Sequence, residues 1–177
     1  MRGVLTFVTA VSALVSLVLI TACGPPARAD DGCAALGWSV QREKAWFADP
    51  KLTRRTSGAR LRRIDRAVTL TLEPVKRVSF FLPPAIAPAP DTYAGDVTFF
   101  GVPKPGLYEV TLSEASHIDV FENGMRIKPA AMSSAPHCAD ARVSGRFDLG
   151  EGDLVLVQVT DVAAKSIKVA FAAVEGN

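Results

Sequence analysis

The sequence predicts a mainly β protein, an antiparallel β-sandwich of jelly-roll type with one short N-terminal helix. Three observations predict it. From residue 68 onward, apolar side chains recur at every second position in short runs, the pattern of strands with one face buried. Turn signals separate the runs, Asn123-Gly124 foremost among them. One stretch alone, Gln41 to Ala48, is built of good helix formers and then stopped by Asp49-Pro50. Many short strands with one peripheral helix are what two packed sheets require.

The chain opens on a basic residue, Arg2, followed by an apolar run from Val4 to Ile20 and then Ile20-Thr21-Ala22-Cys23. A positive start, an apolar stretch and small residues at its end make a secretory signal. The run is interrupted by Thr6, Thr9, Ser12 and Ser16 and is short for a spanning helix, which needs about 20 apolar residues. Two endings are open. Cleavage before Cys23 would make residues 1–22 the signal and leave that cysteine to carry diacylglycerol, because the Ile-Thr-Ala-Cys sequence resembles a lipoprotein lipobox. Cleavage after Ala27-Arg28-Ala29 would discard Cys23 and start the protein at Asp30. The lipobox abuts the apolar run, so lipidation is the favoured ending. Residues 23–32 are then a short tether, and 33–177 a single sandwich domain on the periplasmic face of the bacterial envelope.

Either ending removes Cys23 from the thiol pool. Cys33 and Cys138 remain as a pair in an oxidising compartment, and a disulfide between them is the economical inference. It would pin the N-terminal segment to the loop ahead of the strand at Val143. There is no C-x-x-C to suggest a redox or zinc role.

Residues 51–66 read as a loop or an exposed edge. Lys51, Arg54, Arg55, Arg60, Arg62, Arg63 and Arg66 stand there against Asp65 alone. Strands are expected at Val68–Leu72, Val78–Leu82, Val97–Phe100, Tyr108–Leu112, Ile118–Val120 and Ile167–Phe171, and near Val143. Leu154 to Val157 is continuously apolar and reads as a central strand covered on both faces. Eight or nine strands result. Asn123-Gly124 suits a type I′ hairpin, and Pro105-Gly106 the middle of a type II turn. Pro83, Pro84, Pro88 and Pro90 exclude a strand and predict a stiff exposed loop.

Cys33 with Trp38 and Glu43, Val102 to Val110, Ile118-Asp119-Val120, and Cys138 ahead of Phe147-Asp148-Leu149 together resemble a group of small exported proteobacterial proteins without an assigned activity. Some similar sequences carry the label homogentisate 1,2-dioxygenase. That label implies a non-haem iron site of two histidines and a carboxylate. The chain holds two histidines, and His117, Asp119 and His137 formally supply the set. The opposing reading makes His117 and Asp119 ordinary outward-facing strand residues beside the buried Ile118 and Val120, and His137 a surface residue. A homogentisate dioxygenase is also far longer than this chain. The Gly-x-Tyr-x-Val element, Gly106 to Val110, is similar to strands of small sandwich domains in secreted peptidases and carbohydrate-binding modules, a likeness of fold alone.

The formal charge of the whole chain is +2, and losing Arg2 with the signal brings it closer to neutral. Bulk charge therefore gives no attraction to nucleic acid. No G-x-S-x-G or blue-copper ligand order occurs, and no cofactor is called for. The acids Asp148, Glu151 and Asp153 lack the order of a calcium loop. Glycosidase chemistry, which needs only two carboxylates, is left open. Arg60, Arg62, Arg63 and Arg66 form a potential anion-binding surface, suited to anionic envelope lipid or glycan, or an edge guarded against aggregation. The expected function is thus a non-catalytic binding or interaction module of the cell envelope, held to the membrane by its N-terminal lipid and contacting lipid, glycan or an envelope protein. The alternative is a small metal-dependent enzyme using His117, Asp119 and His137.

Overall fold

A computed structural model describes residues 32–62, 65–150 and 154–174. The expected export signal, Cys23 and Arg63 lie outside the described residues, as do Glu151 and Asp153. Among the described residues no helix is long and apolar enough to cross a membrane.

Among the described residues one α-helix, α1 (Gln41–Phe47), precedes twelve strands: β1 (Arg54–Thr56), β2 (Ala59–Leu61), β3 (Arg66–Thr71), β4 (Glu73–Pro74), β5 (Tyr93–Phe100), β6 (Gly106–Leu112), β7 (His117–Glu122), β8 (Met125–Ile127), β9 (Ala131–Ser134), β10 (Val143–Leu149), β11 (Leu154–Val162) and β12 (Ser166–Ala173). They form two sheets. The first runs β1-β3-β12-β6-β10-β9 and the second β2-β5-β11-β7-β8, with β4 beside β5. Without the short edge pieces, the quartets are β3-β12-β6-β10 and β5-β11-β7-β8, antiparallel throughout. Except for the β7–β8 hairpin, each of these strands is followed by one in the opposite sheet. That is the jelly-roll arrangement of two Greek keys.

Alternation decides which side chains enter the space between the sheets. Val68 and Leu70 from β3, Tyr108, Val110 and Leu112 from β6, and Ile167, Val169 and Phe171 from β12 meet Val97 and Phe99 of β5 and Val155, Val157 and Val159 of β11 in one buried cluster. Phe171 sits at its centre, with ring centroids 4.7 Å from Phe99 and 5.7 Å from Tyr108.

The basic stretch supplies edges. β1 pairs with β3 and β2 with β5, both in parallel, and Gly58 turns between them at φ 82°, a left-handed conformation that suits glycine. The chain thereby passes from the rim of one sheet to the rim of the other. The Ser57 hydroxyl ties this corner by donating to Asp96 Oδ1, 3.0 Å, and accepting from the Asp96 amide.

The N-terminal segment packs against the outer face of the first sheet. Phe47 and Glu43, one turn apart on α1, are both buried, and Lys168 on β12 donates to the Phe47 carbonyl at 2.9 Å. The Trp38 indole donates to Ser144 Oγ, 3.1 Å, and Arg146 stacks 4.3 Å from the Trp38 ring while its Nε donates to Glu109 at 3.0 Å. Cys33 and Cys138 are joined across a sequence separation of 105, with Cα atoms 4.5 Å apart.

Several expectations are corrected. Val78 to Leu82 is not a strand. A 3-10 turn at Val75–Arg77 leads into a strand-free segment, because the prolines that follow offer no amide hydrogens to a ladder. Pro105-Gly106 is not the middle of a type II turn. Gly106 instead opens β6 opposite Leu149, at φ 153°, far from the roughly +80° that position needs. β11 is central in its sheet, but Leu154 at its outer end is 41% exposed, so the strand is only partly covered on both faces. Asn123 (φ 49°) and Gly124 (φ 82°) both take the left-handed conformation of a type I′ turn between β7 and β8.

Candidate functional site

The outer face of the second sheet is where the described residues gather into a site. Directly paired residues point to the same side of a sheet. Arg60, Thr98, Leu156, Phe121 and Arg126 therefore make one row across β2, β5, β11, β7 and β8. Asp96, Gln158 and Asp119 make the next.

Residues 78–92 cross this face as a strap. They pair with no strand, and the sheet's own polar side chains hold them instead. The Ala85 amide donates to Asp119 Oδ2 at 3.1 Å, and the Ala89 amide to Asp161 Oδ1 at 3.1 Å. Gln158 Nε2 donates to the Leu82 carbonyl at 3.4 Å, and Arg126 donates to the Pro83 carbonyl. Phe81 lies edge-on to Phe121, with centroids 5.7 Å apart. Arg126 also pairs with Asp119, Nε to Oδ1 3.2 Å, and stacks 5.2 Å from the Phe121 ring. The strap explains how a glutamine and an aspartate can be buried on an outer face. Their polar atoms find partners in the backbone that covers them.

On one side of the strap is a hollow of about 280 Å³ with Phe81, Phe100, Phe121, Leu154 and Leu156 as walls and Arg60 and Thr98 at its side. Phe81 is 57% exposed at its mouth. The Arg60 side chain makes no hydrogen bond or ion pair among the described residues, and the residue is exposed. On the other side lies a second hollow of about 480 Å³, lined by Ile86, His117, Asp119, Arg126, Lys128 and Met132 among others. A third, polar cleft of about 360 Å³ lies under α1 and is lined by Arg42, Glu43, Glu109 and Arg146. Each of its carboxylates is matched by a guanidinium, Glu43 by Arg42 at 2.6 Å and Glu109 by Arg146 at 3.0 Å. This cleft is a charge-balanced seam that fastens the helix to the first sheet.

The residues singled out in the sequence are dispersed. His117 is on the outer face with Nε2 3.7 Å from Asp161 Oδ2. Asp119 is not an ordinary outward-facing residue, being only 6% exposed and engaged by Arg126 and Ala85. Ile118 is half-buried rather than buried, whereas Val120 is fully enclosed. His137 is exposed in the turn beside the disulfide. Among the described residues no three His, Cys, Asp or Glu side chains converge as metal ligands, and the fold does not bring His117, Asp119 and His137 together as a set.

The basic stretch is likewise divided. Arg60 faces the hollow, Arg62 is exposed, and Arg66 lines a separate cleft with Trp46, Asp49 and Arg55 near α1. Sequence reasoning missed Phe81, Phe121, Arg126 and Gln158. Gln158 carried a signal, as a lone amide inside the apolar run from Leu154 to Val159. No protein-family profile, curated protein or solved structure matches the chain.

Proposed function

We propose that this protein is a non-catalytic binding module of the bacterial cell envelope. It is exported by its N-terminal signal, tethered by lipid on Cys23, and engages its ligand on the outer face of the second sheet. The observation that carries the reading is the hollow beside the strap. Three phenylalanines and two leucines surround it, while an arginine whose side chain has no partner among the described residues stands at its side. Binding sites are concave and mostly apolar, with a few polar groups that fix orientation, and this one has that composition. In the neighbouring row Asp119 and Gln158 are engaged in holding the strap, and Asp96 is engaged by Ser57, which suits a site that binds rather than transforms. The fold itself decides nothing, since jelly rolls serve many functions. The disulfide supports an oxidising compartment, and the lipobox supports the tether.

Photo-crosslinking in living cells tests this reading. A photoreactive residue at Leu154, on the rim of the hollow, is expected to capture a discrete envelope component. The same residue at Lys51, on an exposed turn elsewhere, is not. Equal labelling patterns at the two positions would sink the assignment of this face.

A further inference from the structure

We propose that the hollow takes the apolar tail of a single anionic amphiphile, a medium-chain alkyl carboxylate in its simplest form, with Arg60 holding the carboxylate. The proposal rests on the reading of this face as the binding site and adds the chemistry of the ligand. Along the row that floors the hollow, polarity is graded. Arg60 stands on the edge strand β2, Thr98 follows on β5, and Leu156 and Phe121 complete the row on β11 and β7. Three strand spacings of about 4.8 Å separate the ends, about 14 Å in all. A ligand lying along it would place a polar head at the rim of the sheet and an apolar tail against the Phe81–Phe121 pair.

The sign of the head follows from charge. A guanidinium with no carboxylate partner among the described residues complements an anion, and its planar fork fits a carboxylate with two parallel hydrogen bonds. Thr98 supplies a further hydroxyl. The size follows from volume. About 280 Å³ corresponds to roughly nine waters at ~30 Å³ each. One short alkyl chain fits, whereas a two-chain lipid or a peptide helix does not. A broad bilayer-facing surface would need a run of unpaired cations on this face. Arg126 there is paired with Asp119, and Arg66 and Arg55 line the cleft near α1.

Octanoate and octanol, titrated by calorimetry into the exported protein freed of detergent, test the proposal. Wild type is expected to bind octanoate at one site and octanol more weakly. Arg60→Gln, a change at an exposed position, should weaken octanoate about tenfold or more, as expected for loss of a charge-assisted bond, and leave octanol unchanged. Leu156→Ala should weaken both. Equal binding of the two probes with Arg60→Gln silent would overturn the anionic head and leave the hollow standing as the binding site. Failure of both probes, with Leu154 crosslinking intact, would overturn the amphiphile but not the face. Failure of both together with loss of that crosslinking would overturn the two readings at once. Binding to phosphatidylglycerol vesicles without binding to octanoate would overturn the proposal in favour of membrane docking.

Discussion

Asp119 shows how much a single residue depends on what lies above it. It has the position of an exposed strand residue, alternating with Ile118 and Val120, yet it is buried because the strap crosses over it. Asp119→Ala removes the acceptor for the Ala85 amide and the partner of Arg126. An expected loss of about 1–3 kcal/mol follows, measurable by urea unfolding, with faster proteolysis inside residues 78–92. His117→Ala and His137→Ala alter exposed or half-exposed side chains and should each stay within about 0.5 kcal/mol of wild type; a loss as large as that of Asp119→Ala would contradict this placement. Tyr108 bears on pH. Burial holds its phenol above the usual 10.0, an effect partly offset by the Lys104 backbone and reinforced by the Asp65 carboxylate. A raised value favours the neutral form in the fold, so this stabilisation is complete below the unfolded value and is lost as pH rises through the folded one. Thermal midpoints should therefore fall between about pH 9 and pH 11, near and above the ordinary tyrosine value. They should fall less steeply in Tyr108→Phe.

At the scale of elements, the sequence was legible where one physical rule acts alone. A strand with one face in the core must alternate, and β3, β5, β6, β7 and β12 were read from that rule. The hairpin at Asn123-Gly124 was read from the need for two positive φ values. Val78 to Leu82 alternates too, but its apolar residues serve a strap lying on a sheet rather than a strand within one, and sequence periodicity does not separate the two. The strap's partners lie far along the chain, 34 residues away for Ala85 and Asp119 and 76 for Leu82 and Gln158. The disulfide was legible from compartment and count. Its double replacement, Cys33→Ser with Cys138→Ser, should cost about 2–5 kcal/mol and free the segment containing α1 first, because Trp38, Phe47 and the Glu43 seam are its other moorings. Hydrogen exchange showing protection lost equally everywhere would argue against that local role.

For the whole molecule, the hollow was out of reach of sequence reasoning because Arg60, Phe81, Phe121 and Leu156 come from four separate segments. Only the closed sandwich brings them together. The proposed attachment to the envelope, by contrast, rests entirely on the first residues. A fatty-acid analogue fed to cells should label wild type and not Cys23→Ser, while an unmodified N-terminus at Asp30 would refute the tether. One feature of the topology governs time as well as shape. β12, the last strand, lies between β3 and β6 and is hydrogen-bonded to both. Until residues 166–173 are available, the first sheet has a gap at its middle and β3 has no antiparallel neighbour. Such pairings close long loops and are slow to form. The first sheet therefore cannot close over the core before β12 has been made, so the order of synthesis holds its two halves apart long after β3 has emerged.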